Sequence, residues 1–283
     1  MTYSISGAPG WSREPMDPVH VRAASREPDR WDVRWVASTG STNEDLAGQQ
    51  SAAGPGSAAD PVLVTEEQVA GRGRSGRQWT CPTGAGLMFS VRSDLDPVPP
   101  GRRGWIGAVL GLAIVRALRS VAHVDATLKW PNDVLVDGAK CGGILAEMTA
   151  GAVVVGAGVN ISLRRDELPR VDATSLLLAG GPPVSRNTLL ATVLDQFGTM
   201  LDAFRAARGD VDACDVRAQY RSACSTLGSP VRLELPGGRF VVGTAVDVDV
   251  DGAIVVDERN GTRRRYSAAD VVHLRPERRS GIG

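Results

Sequence analysis

The stretch from Gly71 to Gly86, GRGRSGRQWTCPTGAG, limits the folds open to this chain more than any other segment. Its first six letters fit G-x-G-x-x-G, the pattern of the turn that opens a dinucleotide-binding helix. That helix is excluded here, because Pro82, Gly84 and Gly86 stand where it would have to continue. We therefore do not expect a doubly wound nucleotide-binding fold that starts at this turn.

Three arginines, Arg72, Arg74 and Arg77, remain to be explained in this stretch. One alternative is a nucleic-acid-binding Arg/Gly segment, although such segments are usually longer and repetitive. A second is an anion-gripping loop, in which backbone amides turn toward one anion and guanidinium groups bind carboxylate or phosphate. Since glycine loses much entropy on ordering, we expect that loop to be mobile until an anion arrives. A solvated surface loop is the third and weaker alternative.

The composition bears on several functional classes. The 32 basic residues are balanced by 32 acidic residues, whereas a dedicated duplex-DNA binder usually carries a basic excess. The apolar share of 42% is sufficient for a packed core. Residues 1–30 are polar and Pro-rich, without the apolar run of a signal peptide or a membrane span. We expect a disordered tail over residues 1–30, and a cytoplasmic protein that binds neither membrane nor DNA.

Strands alternate with helices between residues 31 and 227. The nearly all-apolar segment Trp105–Val121 predicts a buried helix, and the apolar spacing over Asn187–Ala207 predicts an amphipathic helix. The strands follow one another like hairpin neighbours, so we expect an α+β fold with a mixed, largely antiparallel sheet and helices on one side. The predicted strands are Val62–Glu67, Leu87–Ser93, Thr127–Trp130, Val134–Val136, Gly142–Met148 and Ala152–Ile161.

The pattern of predicted elements changes after residue 227, from alternating strands and helices to short strands joined by tight turns. From Val231 to Leu274, short strand candidates are joined by the pairs Gly237-Gly238, Asp251-Gly252 and Asn260-Gly261, which favour tight hairpins. A run of hairpins of this length predicts a small SH3-like β-barrel. The expected organisation is a large domain over 31–227, which the resemblance described next implies to be catalytic, an SH3-like domain over 228–276 and a tail over 277–283.

Several motifs together resemble those of the biotin protein ligases. GRGRSGRQW is similar to the family signature G-R-G-R-x-G-R-x-W. Each motif alone is weak, whereas the set in the family's order is specific. The resemblance covers about residues 35–274 and implies a class II synthetase-like catalytic domain. The other motifs are GSTNED (Gly40–Asp45), KWPNDVLV (Lys129–Val136), KCGGILAE (Lys140–Glu147) and GAGVNI (Gly156–Ile161).

The resemblance implies an ATP-dependent biotin–[acetyl-CoA-carboxylase] ligase. Biotin, the substrate, reacts with ATP to give biotinyl-5′-AMP, and a lysine of the biotin carboxyl carrier domain of an acetyl- or acyl-CoA carboxylase then takes the biotinyl group. ATP and Mg²⁺ are the implied cofactors, and the implied chain is a monofunctional monomer or weak homodimer. Such a reaction depends on positioning and electrostatic stabilisation. A lipoyl or octanoyl transferase and an Arg/Gly nucleic-acid-binding module are the alternatives.

The resemblance also implies binding roles for individual residues. Ser41, Thr42 and Asn43 would hold the biotin head, although Ser41 and Glu44 also fit the capping box of a helix. The other implied biotin-binding residues are Gln68, Arg72, Gly73, Arg74, Lys140 and Gly143. The implied ATP-binding residues are Arg72, Arg74, Arg77, Trp79, Lys129, Asn132, Lys140 and Asn160.

Four residues are the implied catalytic groups: Arg72, Lys140, Lys129 and Asp133. Lys129 would face the triphosphate, and Asp133 would help to deprotonate the incoming lysine. Asn132 and Asp133 are the implied Mg²⁺ ligands. Two simpler alternatives remain, since Pro-Asn-Asp also favours a β-turn and Lys140 also fits a solvated strand lysine.

Overall fold

The computed structural model describes residues 10–48, 59–149, 152–267 and 269–273. The expectations for residues 1–9 and 277–283 lie outside this part of the chain. The helices are α1 (Pro18–Ala24), α2 (Thr42–Gly48), α3 (Ile106–Ala117), α4 (Arg186–Ala206) and α5 (Val216–Ala223). The first seven strands are β1 (Trp31–Val36), β2 (Asp60–Thr65), β3 (Gly86–Ser93), β4 (Ala126–Lys129), β5 (Asp133–Val136), β6 (Ala139–Thr149) and β7 (Ala152–Asn160). The last five are β8 (Pro230–Glu234), β9 (Phe240–Val248), β10 (Ile254–Glu258), β11 (Arg263–Tyr266) and β12 (Asp270–His273).

The first seven strands form one sheet in the order β1-β2-β3-β7-β6-β5-β4. Only β1 and β2 pair in parallel, and every other neighbouring pair is antiparallel. The predicted α+β fold with a mixed, largely antiparallel sheet is therefore confirmed. The parallel pair at the edge follows from the chain connection, because α2 lies between β1 and β2 and returns the chain to the same end of the sheet.

The two faces of this sheet are covered differently. Successive side chains of a strand point to opposite faces. On β2 and β7, Val62 and Val155 face the large core that contains α3 and α4, whereas Leu63 and Val154 pack with Leu46 of α2 on the other face. The prediction of helices on one side is wrong, because α2 is short and carries a single buried leucine, too weak a pattern to mark a packed helix.

Helix α3 lies in the centre of the large core. With its flanking turns it forms a helical segment, Pro100–Ala122, that is long and apolar enough to cross a membrane, the only such segment among the described residues. In this fold 67% of its most apolar window is buried, against the sheet and α4. The apolar surface of α3 is thus used for core packing, as predicted for residues 105–121.

The last five strands form a separate antiparallel sheet in the order β11-β10-β9-β8-β12. Gly237, Gly238, Gly252 and Gly261 all have positive φ, the backbone conformation that such tight turns require. Tryptophan hydrogen bonds attach this small C-terminal β unit to the larger unit that contains the seven-stranded sheet. Trp130 Nε1, for example, donates to Gly252 O over 3.0 Å.

The prediction of a disordered N-terminal tail is wrong for residues 10–30. Trp11, Met16 and Val21 are buried in the large core, and Asp17 caps α1 by accepting a hydrogen bond from Val19 N. Helix α1 packs against α4 and β1. These apolar residues are isolated between polar residues and prolines, so they show no periodicity. They are nevertheless buried because the rest of the domain supplies the surface that they cover.

Candidate functional site

A cavity of about 240 Å³ lies on the α2 face of the large sheet. Its floor is made by glycines of β6 and β7, since Gly143 pairs directly with Gly158, and Gly156 lies two residues away on the same face. No side chain rises from the sheet at these positions. The floor is therefore open to side chains and ligands that approach from the loops above.

Trp79 lies across this floor. A Cβ at Gly158 would be 2.3 Å from Trp79 Cε2, and a Cβ at Gly143 would be 3.5 Å from Trp79 Cζ3. Glycine is thus required at Gly158 for the indole to lie flat on the sheet. The indole Nε1 is buried and has no hydrogen-bond partner among the described residues, which is rare for a buried donor.

Hydroxyl and amide groups line one end of the cavity. The Ser90 hydroxyl lies 2.6 Å from Asn43 Oδ1 and 2.7 Å from Thr42 Oγ1. Gln68 Oε1 accepts a hydrogen bond of 2.9 Å from the Thr42 backbone N–H, and Asn43 Nδ2 donates to Glu147 over 2.8 Å. This buried network fixes a polar surface of the kind that suits a neutral ligand with both donors and acceptors.

The arginine–glycine loop, residues 71–79, forms a hairpin over the cavity. Trp79 N donates to Gly71 O at 2.9 Å, and Gly73 N donates to Arg77 O at 2.7 Å. A Cβ at Gly71 would lie 2.4 Å from Trp79 O, so this crossing requires glycine. The Gly73 amide is used inside the loop, which departs from the expected row of amides turned toward an anion. The anion-binding capacity of this conformation therefore lies in the arginine side chains.

Each arginine of the loop has a different environment. Arg72 forms an ion pair with Glu44, and Arg77 forms one with Asp270 on the C-terminal sheet. Both pairs are half-exposed, where such interactions contribute about 1 kcal/mol or less. Arg74 Nη1 is buried and has no hydrogen-bond partner in the described structure. The loop is thus held by weak contacts and can exchange them for an anion.

Both lysines of the sequence, Lys129 and Lys140, lie on the strands beside the cavity. Lys140 Nζ lines the cavity and lies 2.6 Å from Asp133 Oδ1. Lys129 pairs across β4 and β5 with Asp133 but does not line the cavity. Burial lowers the pKa of the Lys129 ammonium, and the nearby Asp133 carboxylate acts in the opposite sense. Asn132 Nδ2 donates to Ile144 O over 2.8 Å, which leaves its Oδ1 for other contacts.

The far end of the cavity is closed by Asn160 and a following loop. Asn160 Nδ2 donates to Thr174 O over 2.9 Å, while its buried Oδ1 has no partner in the described residues. Lys140 N donates to Asp172 O, and Thr174 N donates back to Lys140 O. This loop therefore supports the backbone of Lys140 as well as the side chain of Asn160.

Comparisons with known proteins point to one family. A biotin–[acetyl-CoA-carboxylase] ligase from Mycobacterium tuberculosis is 41% identical over 243 residues, which cover 85% of this chain and 88% of that protein. The chain belongs to the biotin protein ligase family. A biotin–[acetyl-CoA-carboxylase] ligase from Paracoccus denitrificans is 30% identical and is covered over 98% of its length.

The family models and a solved structure agree with this membership. Residues 39–163 match the biotin/lipoate A/B protein ligase family, and residues 226–274 match the biotin protein ligase C terminal domain. The fold is similar to that of the biotin protein ligase from Aquifex aeolicus in complex with biotin and ATP. The TM-score is 0.70 and the identity is 26%, over 86% of this chain and 99% of that one.

The structure brings nearly all of the sequence-predicted residues together. Lys129 alone does not line the cavity, although it lies one strand away. Sequence reasoning missed three residues, namely Ser90 within the predicted strand Leu87–Ser93, Glu147 at the end of its motif, and Arg170 in a segment without any motif. The predicted residues that line the cavity are Ser41, Thr42, Asn43, Gln68, Arg72, Gly73, Arg74, Arg77, Trp79, Asn132, Asp133, Lys140, Gly143 and Asn160.

Proposed function

We propose that this chain activates biotin with ATP to biotinyl-5′-AMP and transfers the biotinyl group to a lysine of the biotin carboxyl carrier domain of an acetyl- or acyl-CoA carboxylase. One observation carries the proposal. The hydroxyl and amide cluster, the arginine–glycine loop and Lys140 all line a single cavity. That cavity offers neutral polar groups at one end and cationic groups above, as a bicyclic urea with a carboxylate tail beside a triphosphate would need.

The buried polar atoms without partners support the same arrangement. Trp79 Nε1 and Arg74 Nη1 are donors, and phosphate oxygens would satisfy them. Asn160 Oδ1 is an acceptor, and the exocyclic amine of adenine would satisfy it. We therefore place biotin at the Ser41–Asn43 end and the nucleotide between the loop and Asn160.

In the first step, an oxygen of the biotin carboxylate bonds to the α-phosphorus of ATP. The bond from that phosphorus to the bridging oxygen breaks, and pyrophosphate leaves with the electron pair. Two anions must approach each other, so Arg72 and Lys140 lower the barrier by neutralising both and by stabilising the charge on the phosphoryl oxygens. Lys129 contributes a further positive charge from the neighbouring strand, on the triphosphate side.

In the second step, the neutral amine of the carrier lysine bonds to the acyl carbon, and AMP leaves with its electron pair. The amine must lose a proton. Asp133 is the carboxylate on the cavity wall that takes it, and the 2.6 Å contact with Lys140 holds this carboxylate in place. The reaction therefore needs positioned charges more than a covalent intermediate on the protein.

Magnesium would be held mainly by the triphosphate. No cluster of three or more His, Cys, Asp or Glu side chains suited to a metal occurs among the described residues. Asp133 and Asn132 fit a Mg²⁺ ion that keeps several waters and takes one or two protein ligands together with phosphate oxygens. When bound, the ion would neutralise phosphate charge.

Three finer features stay proposals: a monomer or weak homodimer, the lack of DNA binding, and a cytoplasmic location. The alternative functions also differ in what they would need. A lipoyl or octanoyl transferase has to accommodate an apolar acyl chain, whereas the cavity end at Thr42, Asn43 and Ser90 is polar and buried. A nucleic-acid-binding module has no use for a cavity under the loop.

The test is incubation of the purified chain with ATP, Mg²⁺ and labelled biotin, with and without a carrier domain. We expect biotinyl-5′-AMP without the carrier and a biotinylated carrier lysine with it. Lipoate and octanoate in place of biotin should give no product. If labelled biotin yields neither adenylate nor modified carrier, the proposed function is wrong.

A further inference from the structure

Residues 10–17, here called the N-terminal arm, lie outside every motif that supports the proposed function. Trp11 and Met16 anchor the arm in the core. The arm then contacts two separate segments that border the cavity, one on each side. Its main polar contact is buried, since the Arg13 side chain is only 8% exposed.

The first anchor is Glu66, which follows β2. Met16 N donates to Glu66 Oε1 over 2.7 Å, and Arg186 Nη1 donates to Glu66 Oε2 over 2.6 Å. Glu66 and Arg186 are 5% and 4% exposed, and Arg186 also donates to Glu14 O in the arm. Buried charges are costly unless they are fully paired, and here the Glu66 carboxylate is paired from both sides. Glu66 therefore links the arm, the end of β2 and the start of α4.

Glu66 is also at the base of the arginine–glycine loop. Gly84 N donates to Glu66 O over 3.2 Å. This hydrogen bond joins the two ends of the segment 66–84, which contains the loop. The arm packs on this closure, because a Cβ at Gly84 would lie 2.7 Å from Arg13 O. Gln68, which accepts from Thr42 N in the cavity, is two residues beyond the anchor.

The second anchor is Glu167. Arg13 Nη1 donates to Glu167 Oε1 over 3.0 Å, and Arg13 Nη2 donates to Ser162 O over 2.8 Å. Glu167 ends a 3₁₀ turn that leads into residues 168–174, the loop whose backbone pairs with Lys140. One arginine of the arm therefore fixes the start of the loop that closes the nucleotide end of the cavity.

We infer that the N-terminal arm is a strap that positions both walls of the cavity, with Arg13 and Glu66 as positioning residues for ATP and biotin binding. This inference rests on the proposed function and deepens it. The arginine–glycine loop is rich in glycine and weakly held at its tip, so its order depends on its base. By joining that base to the loop at 168–174, the arm fixes the distance between the two walls.

The test compares Arg13→Ala with Arg22→Ala in the full chain. Arg22 lies on α1 just beyond the arm and pairs with Asp29 in the open, so it is the matched control. Titration calorimetry with ATP and with biotin gives each Kd, and hydrogen exchange reports on residues 67–83 and 164–174. We expect Arg13→Ala to raise the Kd for ATP about tenfold and to speed exchange in both segments, since small displacements of positioning groups are costly. Arg22→Ala should match the wild type.

Two results would overturn the inference: an unchanged Kd for both ligands in Arg13→Ala, or equal weakening in Arg22→Ala. If Arg13→Ala fails to fold, Arg13→Met decides, because it keeps the packed stem and removes the hydrogen bonds. Wild-type affinity in Arg13→Met then refutes the strap. Binding by calorimetry needs no ligation, so a wild type that binds both ligands without making biotinyl-5′-AMP would refute the proposed function alone.

Discussion

Lys140 Nζ donates a 2.6 Å hydrogen bond to Asp133 Oδ1, which joins the two central motifs of the site across β5 and β6. The lysine is thereby held at the cavity wall with its charge matched until an anion arrives. A solvated strand lysine, the alternative drawn from sequence, would not be paired in this way.

Lys140→Ala should reduce the rate of adenylate formation about 10²–10³-fold while the fold is kept. This magnitude is taken from the loss of one hydrogen-bond donor that stabilises charge in a transition state, which costs about 10²–10³ in rate. Pyrophosphate release from ATP and biotin is the measurement, with thermal unfolding as the check on folding. Lys140→Arg keeps the charge and should retain part of the activity. A rate in Lys140→Ala equal to that of the wild type would remove this residue from the mechanism.

Arg72→Ala should reduce adenylate formation about 10²-fold, because the side chain neutralises the reacting anions. The matched control is Glu44→Gln, which breaks the shorter of the two ion pairs of Arg72, the other being with Glu147, without removing the guanidinium. Since that pair is half-exposed, its loss should change stability by about 1 kcal/mol or less and leave the rate near that of the wild type. Equal losses in both variants would mean that the ion pair itself, and not the free arginine, is what activity needs.

Gly158→Ala should displace the Trp79 indole from the cavity floor. The new Cβ would lie 2.3 Å from Trp79 Cε2, and overpacking of this kind costs about 1–3 kcal/mol. Ligand affinity should fall with stability, as measured by calorimetry and urea unfolding. Gly101→Ala, where no atom lies within 4 Å of the new Cβ, is the control and should behave as the wild type. Unchanged affinity in Gly158→Ala would show that the indole does not bound the ligand site.

The Arg13–Glu167 pair predicts a specific pH dependence of stability. Hydrogen bonding to Arg13 lowers the pKa of Glu167 to about 2 in the folded chain. A lowered pKa stabilises the fold fully above the unfolded pKa of about 4.3, and this contribution is lost as the pH falls toward 2. The difference in unfolding free energy between wild type and Glu167→Gln should thus be constant from about pH 5 to 7 and shrink below pH 4.

Urea unfolding at a series of pH values measures this difference. Asp29→Asn, at an exposed ion pair with Arg22, is the control and should differ little from the wild type at any pH. A difference for Glu167→Gln that persists unchanged at pH 2 would contradict the assigned cause of the shift.

The residues that line the cavity could be picked out from the sequence because they stand in compact motifs. The glycines, arginines and lysines of the site occur within short motifs, so they could be recognised from neighbouring residues in the sequence. The sheet was predictable for the same reason, since apolar runs such as Ala152–Ile161 are bounded by turns.

The parts that sequence reasoning missed depend on long-range partners. Arg13 and Glu167 are 154 positions apart, and Glu66 and Arg186 are 120 apart. Nothing near any of these residues marks it as paired, and a buried charge looks the same in sequence as a solvated one. The disorder prediction was wrong for residues 10–30 for the same reason, because the surface on which α1 packs is formed by the distant elements α4 and β1.

The placement of the two lysines has a chemical consequence beyond binding. An acyl-adenylate acylates any accessible primary amine, and the remaining 30 of the 32 basic residues are arginines, whose guanidinium groups are far poorer nucleophiles than free amines. Lys129 is half-buried with a neighbouring carboxylate, and Lys140 is paired with Asp133. Neither lysine is therefore free on the exterior of the described structure, so this surface is poorly suited to self-acylation by an acyl-adenylate.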